Sequence, residues 1–121
     1  MTKLKAGKKL LKDDIVLLAL HGELDAHTAD SLEKIFQDIF SAGSCKIILD
    51  LHKLSYISSQ GISVLLSALL RARDCKGNLV LLRPSPMVRA VLEMVAATEI
   101  FSLANNQAAA LQTFKGLSGN K

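Results

Sequence analysis

Ser55, Ser58 and Ser59 crowd into the stretch SYISSQGISVLL, residues 55–66, with Gly61 beside them and an apolar run immediately after. Hydroxyls in that position have two uses. They can accept from the free amides of a first helical turn, where Ser is among the favoured N-caps. They can also carry a phosphoryl group, which brings about −1.5 to −2 charges and three acceptor oxygens at neutral pH. Gly61 favours a special site. Gly is about 1 kcal/mol worse than Ala inside a helix, so its use points to a close backbone approach or a tightly bent turn.

Other reactive chemistry is sparse. His21, His27 and His52 are the imidazoles, and none has the local partners of a nucleophile or a zinc site. His52 reads as the end of a strand. The glycines are scattered singly and match neither the phosphate-cradling loop nor the dinucleotide fingerprint, and there is no HExxH or paired CxxC. Cys45 and Cys75 lie far apart, with no second ligand beside either, and read as plain thiols in a reducing compartment. These readings predict a protein that is not an enzyme and holds neither metal nor cofactor.

The elements that must position the serines follow from hydrophobic period. Leu4 to Leu11 is a weak strand, and Asp13-Asp14 suits a turn into the strand Ile15 to Leu20. Leu32, Ile35, Phe36 and Ile39 then fall at helical spacing. Cys45 to Leu51 is a short buried strand that delivers a loop containing Ser55, Ser58 and Ser59 to a helix from about Gln60 to Asp74. Ile62, Leu65, Leu66 and Leu69 form the inner stripe of that helix, with Ser63, Val64, Ser67 and Arg71 outside. Leu79 to Leu82 completes a βαβ unit, whose right-handed crossover makes the pair parallel. Ser85-Pro86 starts another helix, with Met87, Val91, Met94 and Val95 as its inner side. Ile100 to Leu103 suits an edge strand, and a last helix carries Ala108, Leu111 and Phe114. The fold class is α/β, a mixed four- to five-stranded sheet with flanking helices. It forms a single domain over residues 1–121, with a core of about 14–115 and a flexible tail from Gly116.

The composition sets the remaining bounds. The chain has 121 residues, half of them hydrophobic, with one Tyr, four Phe and no Trp, so the core is aliphatic. Lys3, Lys5, Lys8, Lys9 and Lys12 account for the net charge of +4, and the remainder is close to balance. Lysines on a first, edge-lying strand discourage edge-to-edge pairing, which is a better account of them than nucleic acid or anionic lipid. The apolar runs are too short to span a bilayer and none forms a signal core. A cytoplasmic location is expected.

Three stretches resemble the anti-sigma factor antagonist family, the bacterial branch of the STAS domain. They are Gly22-Glu23-Leu24-Asp25-Ala26-His27-Thr28-Ala29; Ile48-Leu49-Asp50-Leu51 followed by Ser55-Tyr56-Ile57-Ser58-Ser59-Gln60-Gly61-Ile62; and Pro84-Ser85-Pro86-Met87-Val88-Arg89 followed by Leu92 and Phe101. The resemblance covers about residues 14–115. It implies partner switching, in which the unmodified antagonist binds a GHKL-type serine kinase that is also the anti-sigma factor. Phosphorylation releases it, and a metal-dependent serine phosphatase resets it. The family's phosphoacceptor falls on Ser59, with Ser58 the alternative, and Asp25, His27, Ser58, Gln60, Gly61 and Val64 form the expected partner-binding surface. Two positions depart from the family pattern: Ser58 stands where Asp is usual, and Gln60 where Ser or Ala is common. These departures leave open an adaptor module that is never phosphorylated, in a signalling or transport complex. A small enzyme or nucleotide-binding protein using Asp25, His27 and Ser59 would need a pocket with converging polar groups.

Overall fold

The computed structural model describes residues 4–115. Five strands form one sheet in the order β1-β2-β3-β4-β5: β1 Leu4–Leu10, β2 Ile15–Leu24, β3 Lys46–Ile57, β4 Asn78–Leu82 and β5 Ser102–Ala104. β1 and β2 make the antiparallel hairpin, turned through Asp13 and Asp14 at φ 63° and 62°. Every later pairing is parallel. The lysine-bearing β1 lies at the sheet edge, where its charges oppose pairing with another chain.

Helices α1 Ala29–Ser41, α2 Ser59–Asp74 and α3 Pro86–Met94 lie on one face of the sheet. Alternation explains the packing. Val16, Leu18 and Leu20 of β2, Ile47, Leu49 and Leu51 of β3 and Leu79 and Leu81 of β4 point to that face and meet Leu32, Phe36, Ile39, Leu65, Leu69, Val88 and Leu92. The opposite face holds a smaller cluster of Ile15, Ile48, Val80, Leu82 and Ala104, covered by Ala110 of the short helix α4 Gln107–Gln112 and by Phe114. Ala108 on that helix is exposed. The tail expected from Gly116 lies outside the described residues.

Three expectations are corrected. β3 does not stop at Leu51 but runs to Ile57, passing through His52 and Ser55 in extended conformation and pairing with β2 beyond the reach of β4. On α3 the buried residues are Val88 and Leu92, while Met87, Met94 and Val95 are exposed, Met94 by 84%. Arg89 and Glu93 pair on one side of that helix, and the hydrophobic period points to the opposite side, with Met87, Met94 and Val95, whereas contact with the sheet buries the flank of Val88 and Leu92. Finally, Cys45 and Cys75 are not plain thiols but form a disulfide, with Cα atoms 6.0 Å apart. Parallel register explains the meeting. Lys46 pairs with Asn78, and the Asn78 amide donates to the Cys45 carbonyl at 3.1 Å, so the start of β3 lies against the end of α2.

Candidate functional site

The junction between β3 and α2 is built around Ser58. Its amide donates to the Leu24 carbonyl at 2.9 Å, tying the end of β3 to the end of β2. Its Oγ accepts from the Gly61 amide at 3.2 Å, and its carbonyl accepts from the Ile62 amide at 3.0 Å. Ser58 is therefore the N-cap, with extended backbone, and Ser59 is the first helical residue. Gly61 is buried beneath the turn. A Cβ there would lie 2.7 Å from Leu24 Cγ and 3.0 Å from both Ile57 Cγ1 and the Leu24 carbonyl oxygen. Only Gly lets α2 start this close to the ends of β2 and β3, which is the close approach its sequence position implied.

Ser59 has the opposite character. It is exposed, and its Oγ lies 3.3 Å from Oε1 of Gln60, also exposed. The amides of Ser59 and Gln60 belong to the first turn and have no intrahelical acceptor, and that turn contains no acidic residue. The first turn of α2 thus supplies no carboxylate of its own to the positive end of the macrodipole.

The Leu24–Ser58 bond brings the turn of Asp25 and His27 alongside this helix start. Asp25 Oδ1 accepts from the His27 amide at 2.9 Å, from the Thr28 amide at 3.1 Å and from Thr28 Oγ1 at 3.2 Å. The Thr28 hydroxyl also accepts from the Asp25 amide and reaches the Glu23 carbonyl, each at 2.9 Å. Desolvation pushes the Asp25 carboxyl up, but the Thr28 and His27 amides, the Thr28 hydroxyl and the nearby His27 ring outweigh it and hold the group below the ordinary aspartate value. Asp25 is therefore committed to shaping its own turn, and His27 stands exposed on that turn. With Asp25 turned to its own amides and Ser59 to Gln60, the three residues do not form a proton relay.

Val64 lies one turn further along α2 and is half-buried in a shallow groove of about 70 Å³ against α1, lined also by Phe36, Phe40, Ser67 and Arg71. The Arg71 guanidinium sits over the Phe40 ring, 4.8 Å from its centroid, which holds the side chain flat along the groove. Sequence reasoning placed Val64 and Arg71 on the outward side but missed the contribution of Phe40 and the role of Thr28. The signal for Thr28 was present in Asp25-x-x-Thr28, a polar pair at turn spacing. Ser55 lies apart from the helix start: it is on β3, donating to the Gly22 carbonyl at 2.9 Å.

Comparison with known proteins agrees with this architecture. The model of the family described as STAS domain matches residues 9–110. BtrV of Bordetella bronchiseptica, provisionally named an anti-sigma factor antagonist, is 35% identical over 103 residues, 85% of this chain and 89% of that protein. Among solved structures, the anti-sigma factor antagonist SpoIIAA in its unphosphorylated form superposes with a TM-score of 0.78 at 23% identity, covering 93% of this chain and 97% of that one. The Bacillus SpoIIAA in its phosphorylated form gives 0.71 at 21% identity, covering 92% and 100%. At those identities the superpositions speak for the fold alone, while the family match and the BtrV similarity extend to the residues themselves. The mixed five-stranded sheet, the glycine-pinned helix start and the family match over most of the chain lead to one conclusion: this chain belongs to the STAS domain family.

Proposed function

We propose that the chain is an anti-sigma factor antagonist that switches partners by phosphorylation of Ser59. In its bare form it binds a GHKL-type serine kinase that doubles as the anti-sigma factor, through Ser58, Gln60, Gly61, Val64 and the turn of Asp25 and His27. Phosphorylation releases the kinase, and a metal-dependent serine phosphatase restores the bare form. The protein is itself no enzyme in this scheme and works in the cytoplasm, where its kinase finds ATP and where the thiol pool favours the opened form of the Cys45–Cys75 bridge.

The observation that carries the reading is the division between the two serines. The Ser58 hydroxyl caps α2, whereas the Ser59 hydroxyl is exposed and bonded to no backbone group of the described residues. A phosphate on Ser59 would meet free amides and the positive end of the macrodipole, so the fold tolerates it. That SpoIIAA is known with this fold in both unphosphorylated and phosphorylated forms supports the same point. A kinase seated over Gly61 and Val64, in contrast, would have to desolvate a dianion with no partner of its own. An unpaired buried charge costs several kcal/mol, and about 1.4 kcal/mol is already tenfold in affinity.

The test is to mix the purified chain with GHKL kinases encoded near it, with and without ATP, and to map any phosphopeptide and titrate binding. Ser59→Ala is expected to stay bound in the presence of ATP, and Ser59→Asp to bind about tenfold or more weakly than the bare wild type. Equal affinities for wild type, both variants and the ATP-treated chain would overturn the reading. One observation favours a second: Ser58 replaces the Asp usual in the family at the residue before the acceptor. If the kinase needs that carboxylate, the chain is a constitutive adaptor, and mass spectrometry after incubation with kinase and ATP shows no added phosphate.

A further inference from the structure

We propose that the uncovered part of the second sheet face is a binding site for a compact small molecule bearing an oxyanion, a phosphate ester or a carboxylate. α4 shields only the portion of that face around Ile48 and Val80. Beyond it, a cavity of about 470 Å³ opens over β1, β2 and β3, with Gly7 and Ala19 paired across its floor. That volume lies within the range of small-molecule sites.

Four observations make this a built site. Lys5 from β1, Lys53 from β3 and Arg83 after β4 converge on the cavity, and among the described residues Asp50 is the one carboxylate that lines it, leaving two positive charges in excess among them. Asp50 is already engaged. Its Oδ2 accepts from the Arg83 guanidinium at 3.0 Å and its Oδ1 from the His52 amide at 3.1 Å, so it orients the cation. Arg83 itself holds a left-handed backbone at φ 50°, an uncommon conformation for a residue with a long side chain, fixed by its amide donating to Ala104 at 2.9 Å. Finally, the β2–β3 register slips between Ala19, opposite Asp50, and His21, opposite Lys53. The extra residue on β3 is a bulge, a device that re-aims side chains, and both His52 and Lys53 line the cavity with His21. Two imidazoles thereby add hydrogen-bond donors to three cations over a floor of minimal side chains. An oxyanion matches this lining, and charge-assisted bonds to Lys and Arg are the strong ones. The site lies across the sheet from the face on which α2 packs, and it does not depend on the switching reading.

The test uses the full chain, titrated with inorganic phosphate, glycerol 3-phosphate and citrate, with glycerol as the uncharged control, followed by amide chemical shifts. Saturable shifts confined to residues around Gly7, Ala19 and Asp50 to Lys53 are expected with at least one anion and absent with glycerol. The preferred anion separates phosphate esters from carboxylates. Lys5→Ala, on the exposed edge strand, should weaken binding about tenfold. A Cβ on Gly7 meets nothing within 4 Å, so Gly7→Phe fills the floor without disturbing the core and should abolish the shifts while retaining the melting temperature. No saturable shift with any of the three anions, shifts located elsewhere, or shifts unchanged in both variants would overturn the proposal.

Discussion

Replacing Ser58 by Ala removes the acceptor of the Gly61 amide and should lower stability by about 1 kcal/mol, the usual cost of a lost N-cap. Ser59→Ala removes only a hydroxyl facing Gln60 and should change stability by less than about 0.5 kcal/mol, so thermal melts of the two variants show which serine is the cap. The usual family Asp is as good an N-cap as Ser, so Ser58 keeps the capping function while removing a carboxylate from beside Ser59. Asp25 gives a prediction with a definite sign. Its carboxyl is held below the ordinary aspartate value in the folded state, so the stability it contributes is complete above the unfolded pKa and is lost as pH falls through the folded one. Asp25→Asn should therefore flatten the acid limb of a melting temperature against pH curve, leaving a smaller loss between neutral and strongly acidic conditions than wild type shows. At this scale the sequence marks a serine-capped helix start but not which serine is the cap. Adjacent serines are equally good caps, and only the helical phase set by Leu24 and Ile57 decides that Ser58 takes the role and Ser59 stays free.

The start of α2 depends on a missing side chain. Gly61→Ala would set a methyl group 2.7 Å from Leu24 Cγ and 3.0 Å from a backbone carbonyl, which cannot move aside without shifting β2. The expected loss is about 1–3 kcal/mol despite the better helix propensity of Ala, measurable by denaturant unfolding. A gain in stability would mean that the turn is looser than its geometry. Among the elements, the hairpin, the βαβ unit and the Ser85-Pro86 helix start were legible because period, turn residues and caps agreed; the Ser85 hydroxyl indeed accepts from the Val88 amide at 3.4 Å. β3 was read short because its burial beyond Leu51 falls on Leu54 and Ile57, a spacing of three produced in part by the bulge rather than the alternation that marks a strand. α3 was misjudged in rotation because both Val88-Leu92 and Met87-Val91-Met94-Val95 form apolar stripes, and contact with β3 selects the first.

Across the molecule, the disulfide between Cys45 and Cys75 closes a loop that contains β3, Ser58, Ser59 and α2. Reduction, or the double change Cys45→Ala and Cys75→Ala, should cost about 3 kcal/mol through the freedom restored to the unfolded chain, lowering the melting temperature by roughly 10 °C. Melts with and without dithiothreitol check this, and coincident curves would show that the bridge adds no stability. The pairing was not legible from the spacing of two cysteines alone, since it requires the parallel register that places the beginnings of β3 and β4 side by side. The bridge has a further consequence. In the bridged form α2 is clamped at both extremities, at its head by Ser58 and the ends of β2 and β3, at its foot by a covalent staple from Cys75 to Cys45, the residue just before β3. Such a beam has little room to tilt or slide. On the proposed switching scheme, a change at its head would therefore be read where it is written, by a visitor that touches the altered patch, and not relayed as movement to some remote part of the body.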